Sequence, residues 1–253
     1  MRIASVVTLG VATVLGGVIA VTAVAATAAH KRQHHVPVLP GNCSDTAPCH
    51  FRKGTYRLGS KADLPGLRLT LPRGWSSNEN WQGGLNLTPP GHPDDTLFVW
   101  TDMLAVKSTG PGHGTTVLTN VGTTPTALLA WLTSNPDFMV VTQPRATKIA
   151  RRIPATTLTM GVSASASYGD PGCPSNPRCA DFFTSPLWTQ PGFYSIGYPE
   201  EVQLSLAAIK RGTHEHTLFV GLDATNDSDM AALRTATHSV IASFRLPKTV
   251  TPG

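Results

Sequence analysis

Two histidines separated by one residue are the pattern in this sequence that comes nearest to a metal site. They occur as His214-Glu215-His216. On a strand, residues i and i+2 face the same side, so both imidazoles could bind one ion. A catalytic zinc site needs a third protein ligand, and Leu218 stands where the motif H-E-x-x-H requires its second histidine. We interpret the pair as the exposed start of a strand and predict no metal and no cofactor.

Other patterns with catalytic potential also depart from the spacing that their chemistry needs. Asp223, Asp227 and Asp229 lack the D-x-D-x-D-G order of a calcium-binding loop, and helix capping explains them. Ser195 lies near two glycines, but the first is one position away from the G-x-S-x-G elbow of a serine hydrolase. The absence of a complete set favours a non-enzymatic domain. The alternative is a cell-envelope hydrolase that depends on a metal or a serine.

Four cysteines occur in two pairs of equal spacing, C-x5-C. The pairs are Cys43 with Cys49 and Cys173 with Cys179. An even number in an exported chain favours disulfides, which persist in an oxidising compartment. Four cysteines allow three connectivities, of which the local one needs only two short loops. A four-cysteine zinc site is the alternative, although five intervening residues exceed the usual two to four.

Aromatic residues are the candidates for ligand binding. Trp188 follows a proline-rich segment that carries two cysteines, and Tyr194 and Tyr198 come shortly after it. Ligand sites are concave and often lined by aromatic rings. We therefore predict that Trp188, Tyr194 and Tyr198 contribute to a binding surface, and that most other tryptophans are core residues.

The N-terminus carries a long apolar segment without any charged side chain, residues 3–29. About 20 apolar residues suffice for a helix to cross a bilayer. The segment is either a cleaved signal peptide, with Ala-x-Ala sites near residues 23–28, or an uncleaved signal anchor in the form of a hydrophobic helix. Flanking charges do not decide its orientation, because Arg2 and the terminal amine nearly balance Lys31 and Arg32. The paired cysteines favour export, to the outer face of the cytoplasmic membrane or beyond it.

Charge is distributed unevenly along the 253 residues, whose formal net charge is +5. Residues 30–73 carry eight Lys or Arg against two Asp, whereas residues 74–253 carry eleven against thirteen acids. We interpret residues 30–54 as a basic linker rich in proline and glycine, which could contact anionic head groups. No nucleic-acid motif accompanies the charge, so we predict no nucleic-acid partner.

Alternating apolar residues and turn signals predict a single α+β domain over residues 55–247, followed by a tail at 248–253. Its antiparallel sheet packs against a few helices. One helix begins at Pro125 with Thr124 as its cap, and Asp227 or Ser228 caps the last helix. The predicted strands cover residues 67–71, 84–88, 97–106, 138–142, 155–165, 193–198, 202–207 and 214–224.

Two short motifs open and close the predicted domain. The first is a strand that runs into Pro72-Arg73-Gly74-Trp75, and the second is Ile241-Ala242-Ser243-Phe244 at the end of the last helix. They resemble the opening and the terminal helix of Mog1/PsbP-like domains. The resemblance covers about residues 56–247 and implies an antiparallel sheet with helices on its faces. It also implies an exported protein of actinobacterial type, and it transfers no catalytic residue.

The sequence thus predicts an exported binding or accessory domain. Its partner is expected to be an envelope protein or a lipid, with the membrane contacted through the N-terminal segment. A membrane-anchored sensor is a further alternative, but only Met1 and Arg2 precede the apolar segment. Ligand and oligomeric state are not encoded in any pattern that we recognise.

Overall fold

The computed structural model describes residues 36–41, 43–44, 46–60, 64–77, 84–108, 115–166, 178–186 and 193–253. The apolar segment at residues 3–29, Cys173 and Trp188 lie outside these residues. Within the described part of the chain, no helix is both long enough and apolar enough to span a membrane.

Strands dominate the described residues, together with two helices. The strands are β1 (Cys49–His50), β2 (Gly54–Arg57), β3 (Arg68–Leu71), β4 (Ser76–Ser77), β5 (Gly84–Leu87), β6 (Thr96–Thr101), β7 (Leu104–Ser108), β8 (Thr115–Val117), β9 (Phe138–Ile149), β10 (Ile153–Val162), β11 (Cys179–Thr184), β12 (Tyr194–Gly197), β13 (Glu201–Arg211), β14 (His214–Ala224) and β15 (Val250–Pro252). The helices are α1 (Pro125–Ser134) and α2 (Asp227–Ala242).

The central sheet has seven strands, and every pairing in it is antiparallel. Its hydrogen-bonded order is β5-β6-β14-β13-β10-β9, and β15 also pairs with β13. A second sheet has the order β12-β11-β7-β8, and β1-β4 and β2-β3 form two small ladders. This arrangement confirms the predicted α+β class.

Each face of the central sheet supports its own hydrophobic core. In β14, Leu218, Val220 and Leu222 belong to the core that includes α2, whereas Phe219 belongs to the core that includes α1. Successive side chains of a strand point to opposite faces, so one strand supplies both cores. The α2 side of the first core consists of Met230, Leu233, Val240 and the following Phe244.

Both helices begin at capping residues, one as predicted and one not. The Thr124 hydroxyl accepts a hydrogen bond from the Ala127 N–H at 3.3 Å, which confirms the predicted start of α1. The prediction for α2 was wrong by one residue, because its cap is Asn226. The Asn226 side chain accepts from the Asp229 N–H at 3.1 Å. Asp227 instead lies in the first turn, where its charge complements the helix dipole.

The strand predicted at residues 97–106 is divided in the structure into β6 and β7. Asp102 interrupts it with φ of +53°, and its carboxylate accepts a hydrogen bond from the Thr217 N–H at 3.1 Å. Apolar content alone did not reveal this break. Strand β11 was not predicted either, since no strand was predicted between residues 165 and 193.

The compact unit runs from residue 36 to residue 253 and so includes parts of the predicted linker and tail. Leu39 and Phe51 are both only 5% exposed and belong to the core beneath α2. Cys43 and Cys49 form a disulfide with their Cα atoms 5.3 Å apart. At the other end, Val250 is buried as β15 pairs with β13. These segments look like linker in sequence because each contributes only one or two apolar side chains.

Candidate functional site

A groove lies between the last helix and the outer part of the central sheet. Its inner cavity, of about 260 Å³, is lined by β9, β13, β14 and α2. An outer cavity of about 580 Å³ adjoins it at the β9–β10 turn and the end of α2. The two cavities share Ala150, Arg151, His238 and Ala242. We call the two together the basic groove.

Among the residues that the structure describes, six cationic side chains and no Asp or Glu line the basic groove. Six of the eleven Lys and Arg residues that follow residue 73 are therefore gathered around one concavity. Among the described residues, the ion pairs within 4.0 Å join only histidine to aspartate, so none of the six cations is neutralised by a salt bridge. Walls of low dielectric strengthen the field of such a cluster. The six are Arg145, Lys148, Arg151, Arg152, Arg234 and Arg245.

Arg234 is the cation that the fold holds most firmly. Its Nε donates to Gln203 Oε1 at 2.6 Å, and its Nη2 donates to Thr159 Oγ1 at 3.2 Å. Burial, and secondarily Asp227, raises the pKa of Glu201, whereas the nearby Arg234 lowers it. Glu201 does not line the groove. Arg234 is therefore partly buried, and uncharged hydrogen-bond partners fix the orientation of its guanidinium group.

Strand β13 contributes a polar part of the sheet surface under the groove, where a simple helix–sheet contact would be apolar. Gln203 and Ser205 line the inner cavity from β13, and the Ser205 hydroxyl donates to Thr157 Oγ1 at 3.2 Å. Thr157 in turn donates to the Leu204 carbonyl at 3.0 Å. Packing against a helix alone would favour apolar residues at these positions. The hydrogen-bonded polar residues break this rule, and proteins break such rules mainly at functional sites.

Apolar side chains complete the inner cavity. Ile149 is 2% exposed and Val220 and Leu222 are each 3% exposed, and all three line it together with Ile241. The outer cavity has only alanines as its apolar lining residues. The groove therefore offers an amphipathic inner compartment and a hydrophilic outer one.

The β9–β10 turn holds a cation in an unfavourable backbone conformation. Ala150 and Arg151 have φ of +52° and +64°. Two-residue left-handed turns normally use Asn and Gly, and other residues cost about 1–2 kcal/mol each. Retained strain of this kind occurs where surrounding structure or function requires a particular side chain. Here the side chain retained is Arg151, which lines both cavities.

The sequence-based prediction missed this site because its residues come from three distant segments. The only local signal was a cluster of three cations within residues 148–152. Averaging charge over residues 74–253 concealed it, since acids elsewhere in that stretch outnumber the bases.

The aromatic residues predicted to bind a ligand do not line the basic groove. Tyr194 packs against Phe98, Trp100 and Phe182 on the opposite face of the sheet, with ring centroids 4.8–5.1 Å apart. Tyr198 is 51% exposed, and the Arg178 guanidinium carbon lies 3.4 Å from its ring centroid. Trp188 lies outside the described residues. A role of these three in binding stays a prediction.

The cysteine prediction is confirmed for its first pair, Cys43 and Cys49. Cys179 is buried and also disulfide-bonded. Its predicted partner, Cys173, lies outside the described residues, so that pairing stays a prediction.

Of the histidines and the serine that the sequence analysis considered, His216 and Ser195 each contact an aspartate. His216 Nδ1 lies 2.6 Å from Asp102 Oδ2, and His214 is exposed. In the part of the chain that the structure describes, no three His, Cys, Asp or Glu side chains come together as a metal site would require. The Ser195 hydroxyl donates to the buried Asp181.

An acidic group with an altered pKa lies at the end of β14, away from the groove. Burial raises the pKa of Asp223 to about 7, the Tyr194 hydroxyl that donates to it lowers the value, and Glu200 and Asp95 raise it. Burial also raises the pKa of Glu200, against a hydrogen bond from the Gly197 N–H. Asp223 is therefore close to half protonated at neutral pH.

Asp223→Asn should raise the free energy of unfolding at pH 8 by about 2 kcal/mol, allowing for the partial exposure of the residue. Between about pH 4 and about pH 7, Asp223 is protonated in the folded protein and ionised in the unfolded chain. Its contribution to the free energy of unfolding therefore falls as the pH rises through that range. Urea unfolding at pH 5 and pH 8 measures the effect. The exposed Asp94→Asn is the matched control, and equal pH dependence of both variants would contradict the assignment.

The described residues thus define an α+β domain with a basic groove beside its last helix. No protein-family model matches the chain. No curated protein matches it either. Among solved structures it is similar to one described as "Crystal structure of LpqN involved in cell envelope biogenesis of Mycobacterium tuberculosis". The identity is 17%, the coverage 81% of this chain and 90% of that chain, and the TM-score 0.34.

A TM-score of this size carries no argument about fold or function. The predicted resemblance to Mog1/PsbP-like domains is not tested by it and stays a prediction. What the groove binds has to be argued from its own residues.

Proposed function

We propose that this protein is a non-enzymatic extracytoplasmic domain whose basic groove binds an anionic component of the cell envelope. The observation that carries the proposal is the set of six cations around a partly apolar cavity, whose described lining residues include no carboxylate. Such a lining disfavours cations and suits a ligand that joins an anionic head to an apolar part. A lipid-like amphiphile fits this description better than a protein surface does, because the inner cavity is small and concave.

Two features support a location outside the cytoplasm. The segment at residues 3–29 is apolar and uncharged, as export signals and anchors are. The Cys43–Cys49 disulfide is of a kind that persists in oxidising compartments.

The composition of the groove supports binding without catalysis. General acid–base catalysis needs a positioned group whose pKa lies near the working pH. The described residues that line the groove include no Asp, Glu, Cys or Tyr, and the single histidine, His238, is exposed. Guanidinium groups, which stay protonated, are suited to holding anions.

Isothermal titration with hexylphosphonate tests the proposal, using the purified full chain in a neutral detergent. We expect binding that weakens steeply between about 0.05 and 0.5 M NaCl, because exposed charges are screened by salt. Hexanol and hexyltrimethylammonium carry the same alkyl chain without the negative charge and should not bind. Comparable binding of hexanol, or no dependence on salt, would refute an anion site.

A further inference from the structure

We infer that the basic groove takes a ligand with two separate anionic groups, one held in each cavity and joined by a partly apolar segment. This inference rests on the proposed function and specifies the ligand class of the same site. It depends on the division of the groove and of its cations into two compartments.

Each compartment has cations of its own. Arg145, Lys148 and Arg234 line only the inner cavity, whereas Arg152 and Arg245 line only the outer one. Arg151 and His238 line both and so lie at the junction. A ligand with one anionic group would leave one set of cations without a counter-charge.

The helix sets the distance between the two compartments. Arg234 lines only the inner cavity, and Arg245, which lines only the outer one, lies three residues beyond Ala242, the last residue of α2. At about 1.5 Å of rise per residue, the helix advances about 12 Å from Arg234 to Ala242. Two anionic groups that reach both sets of cations are therefore expected to be separated by roughly 10 Å.

The linings also specify what lies between and beside the anionic groups. Apolar contacts from Ile149, Val220 and Leu222 are confined to the inner cavity. Ser239 adds a hydroxyl to the outer cavity. The ligand class is therefore an amphiphile that presents phosphate-like groups at two points and hydrogen-bonding groups at its outer end.

Hexane-1,6-diphosphonate and hexylphosphonate differ in one anionic group and form a matched pair of probes. We expect the diphosphonate to bind the full chain at least about tenfold more tightly, because the second phosphonate gains charge-assisted hydrogen bonds from Arg152 and Arg245. Methylenediphosphonate has the same two anionic groups close together, so it should lack this advantage. Isothermal titration at fixed salt measures all three.

The variant Arg152→Gln/Arg245→Gln should reduce the advantage to about the twofold factor expected for a ligand with two equivalent ends, because hexane-1,6-diphosphonate binding falls by a larger factor than hexylphosphonate binding does. Thermal unfolding of the variant checks that the fold is retained. Equal gains from methylenediphosphonate and hexane-1,6-diphosphonate would overturn the two-point inference while preserving the anion site. Failure of hexylphosphonate to bind the unmodified protein would instead refute the proposed function itself.

Discussion

Replacing three groove cations together, as Arg145→Gln, Lys148→Gln and Arg151→Asn, should weaken hexylphosphonate binding by at least about 100-fold. Each cation is expected to contribute about 1 kcal/mol through a charge-assisted hydrogen bond or close approach, and about 1.4 kcal/mol corresponds to tenfold in affinity. Isothermal titration at low ionic strength measures the loss. No residue of the groove floor is altered by the substitutions.

The fold should tolerate this variant. All three side chains are exposed, and Asn adopts the left-handed backbone of residue 151 more readily than Arg does. We therefore expect the free energy of unfolding to stay the same or to rise slightly. A matched control removes three exposed cations that lie outside the groove, Arg52, Lys210 and Arg211, each replaced by Gln. If both triple variants lose affinity equally, net charge and not the groove is responsible for binding.

Gly221→Ala should lower the free energy of unfolding by about 3 kcal/mol or more, a large part of a typical total of about 5–15 kcal/mol. Gly221 lies in β14, directly opposite Phe98 of β6. A Cβ atom at this position would lie 1.9 Å from Phe98 Cζ and 2.1 Å from its Cε2. The ring occupies the space above the glycine, so one of the two has to move.

Phe98 has no room in which to move. It is fully buried and stacks on Trp100 with ring centroids 4.0 Å apart, and Tyr194 packs against both rings. Trp100 in turn lies over Gly84, the residue opposite it in β5, where a Cβ would come within 2.1 Å of Cδ1. The two glycines and two aromatic rings therefore form one packed unit across three strands.

Gly161→Ala in β10 is the matched control for Gly221→Ala. A Cβ at Gly161 would meet the Glu200 carbonyl oxygen at 3.4 Å, an ordinary contact, and we expect a change within about 1 kcal/mol. Urea unfolding followed by circular dichroism measures both variants. If Gly221→Ala unfolds at the same urea concentration as Gly161→Ala, the inference that Phe98 leaves no space for a Cβ atom at residue 221 is wrong.

Local sequence patterns predicted elements whose structure depends on neighbouring residues alone. The bounds of β14 agree with the prediction because Gly212, with φ of +63°, forms the turn that fixes the hairpin and its register. The start of α1 follows from one threonine hydroxyl and one proline, which act within four residues. The Cys43–Cys49 disulfide closes a short loop that the spacing already limited.

Alternation along a strand distinguished the two faces of β13 but did not show what covers each of them. Val202, Leu204 and Leu206 belong to the core that includes α1, as their apolar character indicates. The same alternation predicts that Gln203 and Ser205 lie on the polar face of β13. In the structure this face lies beneath α2, where both residues line the inner cavity. Which element packs against a side chain depends on the tertiary structure, and the alternation along one strand carries no information about it.

The sequence by itself determined the class of fold, the export-like N-terminus and the predominance of strands, because each follows from short-range chain geometry and composition. It favoured the Cys43–Cys49 disulfide, which the structure confirms. The location of the candidate binding site was decided by the tertiary structure alone. Folding brought Lys148 and Arg151 of the β9–β10 hairpin beside Arg234 of α2, more than 80 residues later, and none of the acidic residues that the structure describes lines the groove between them. Electrostatic potential depends on distances in space, so a domain that is nearly neutral along its sequence can still hold a strongly cationic groove.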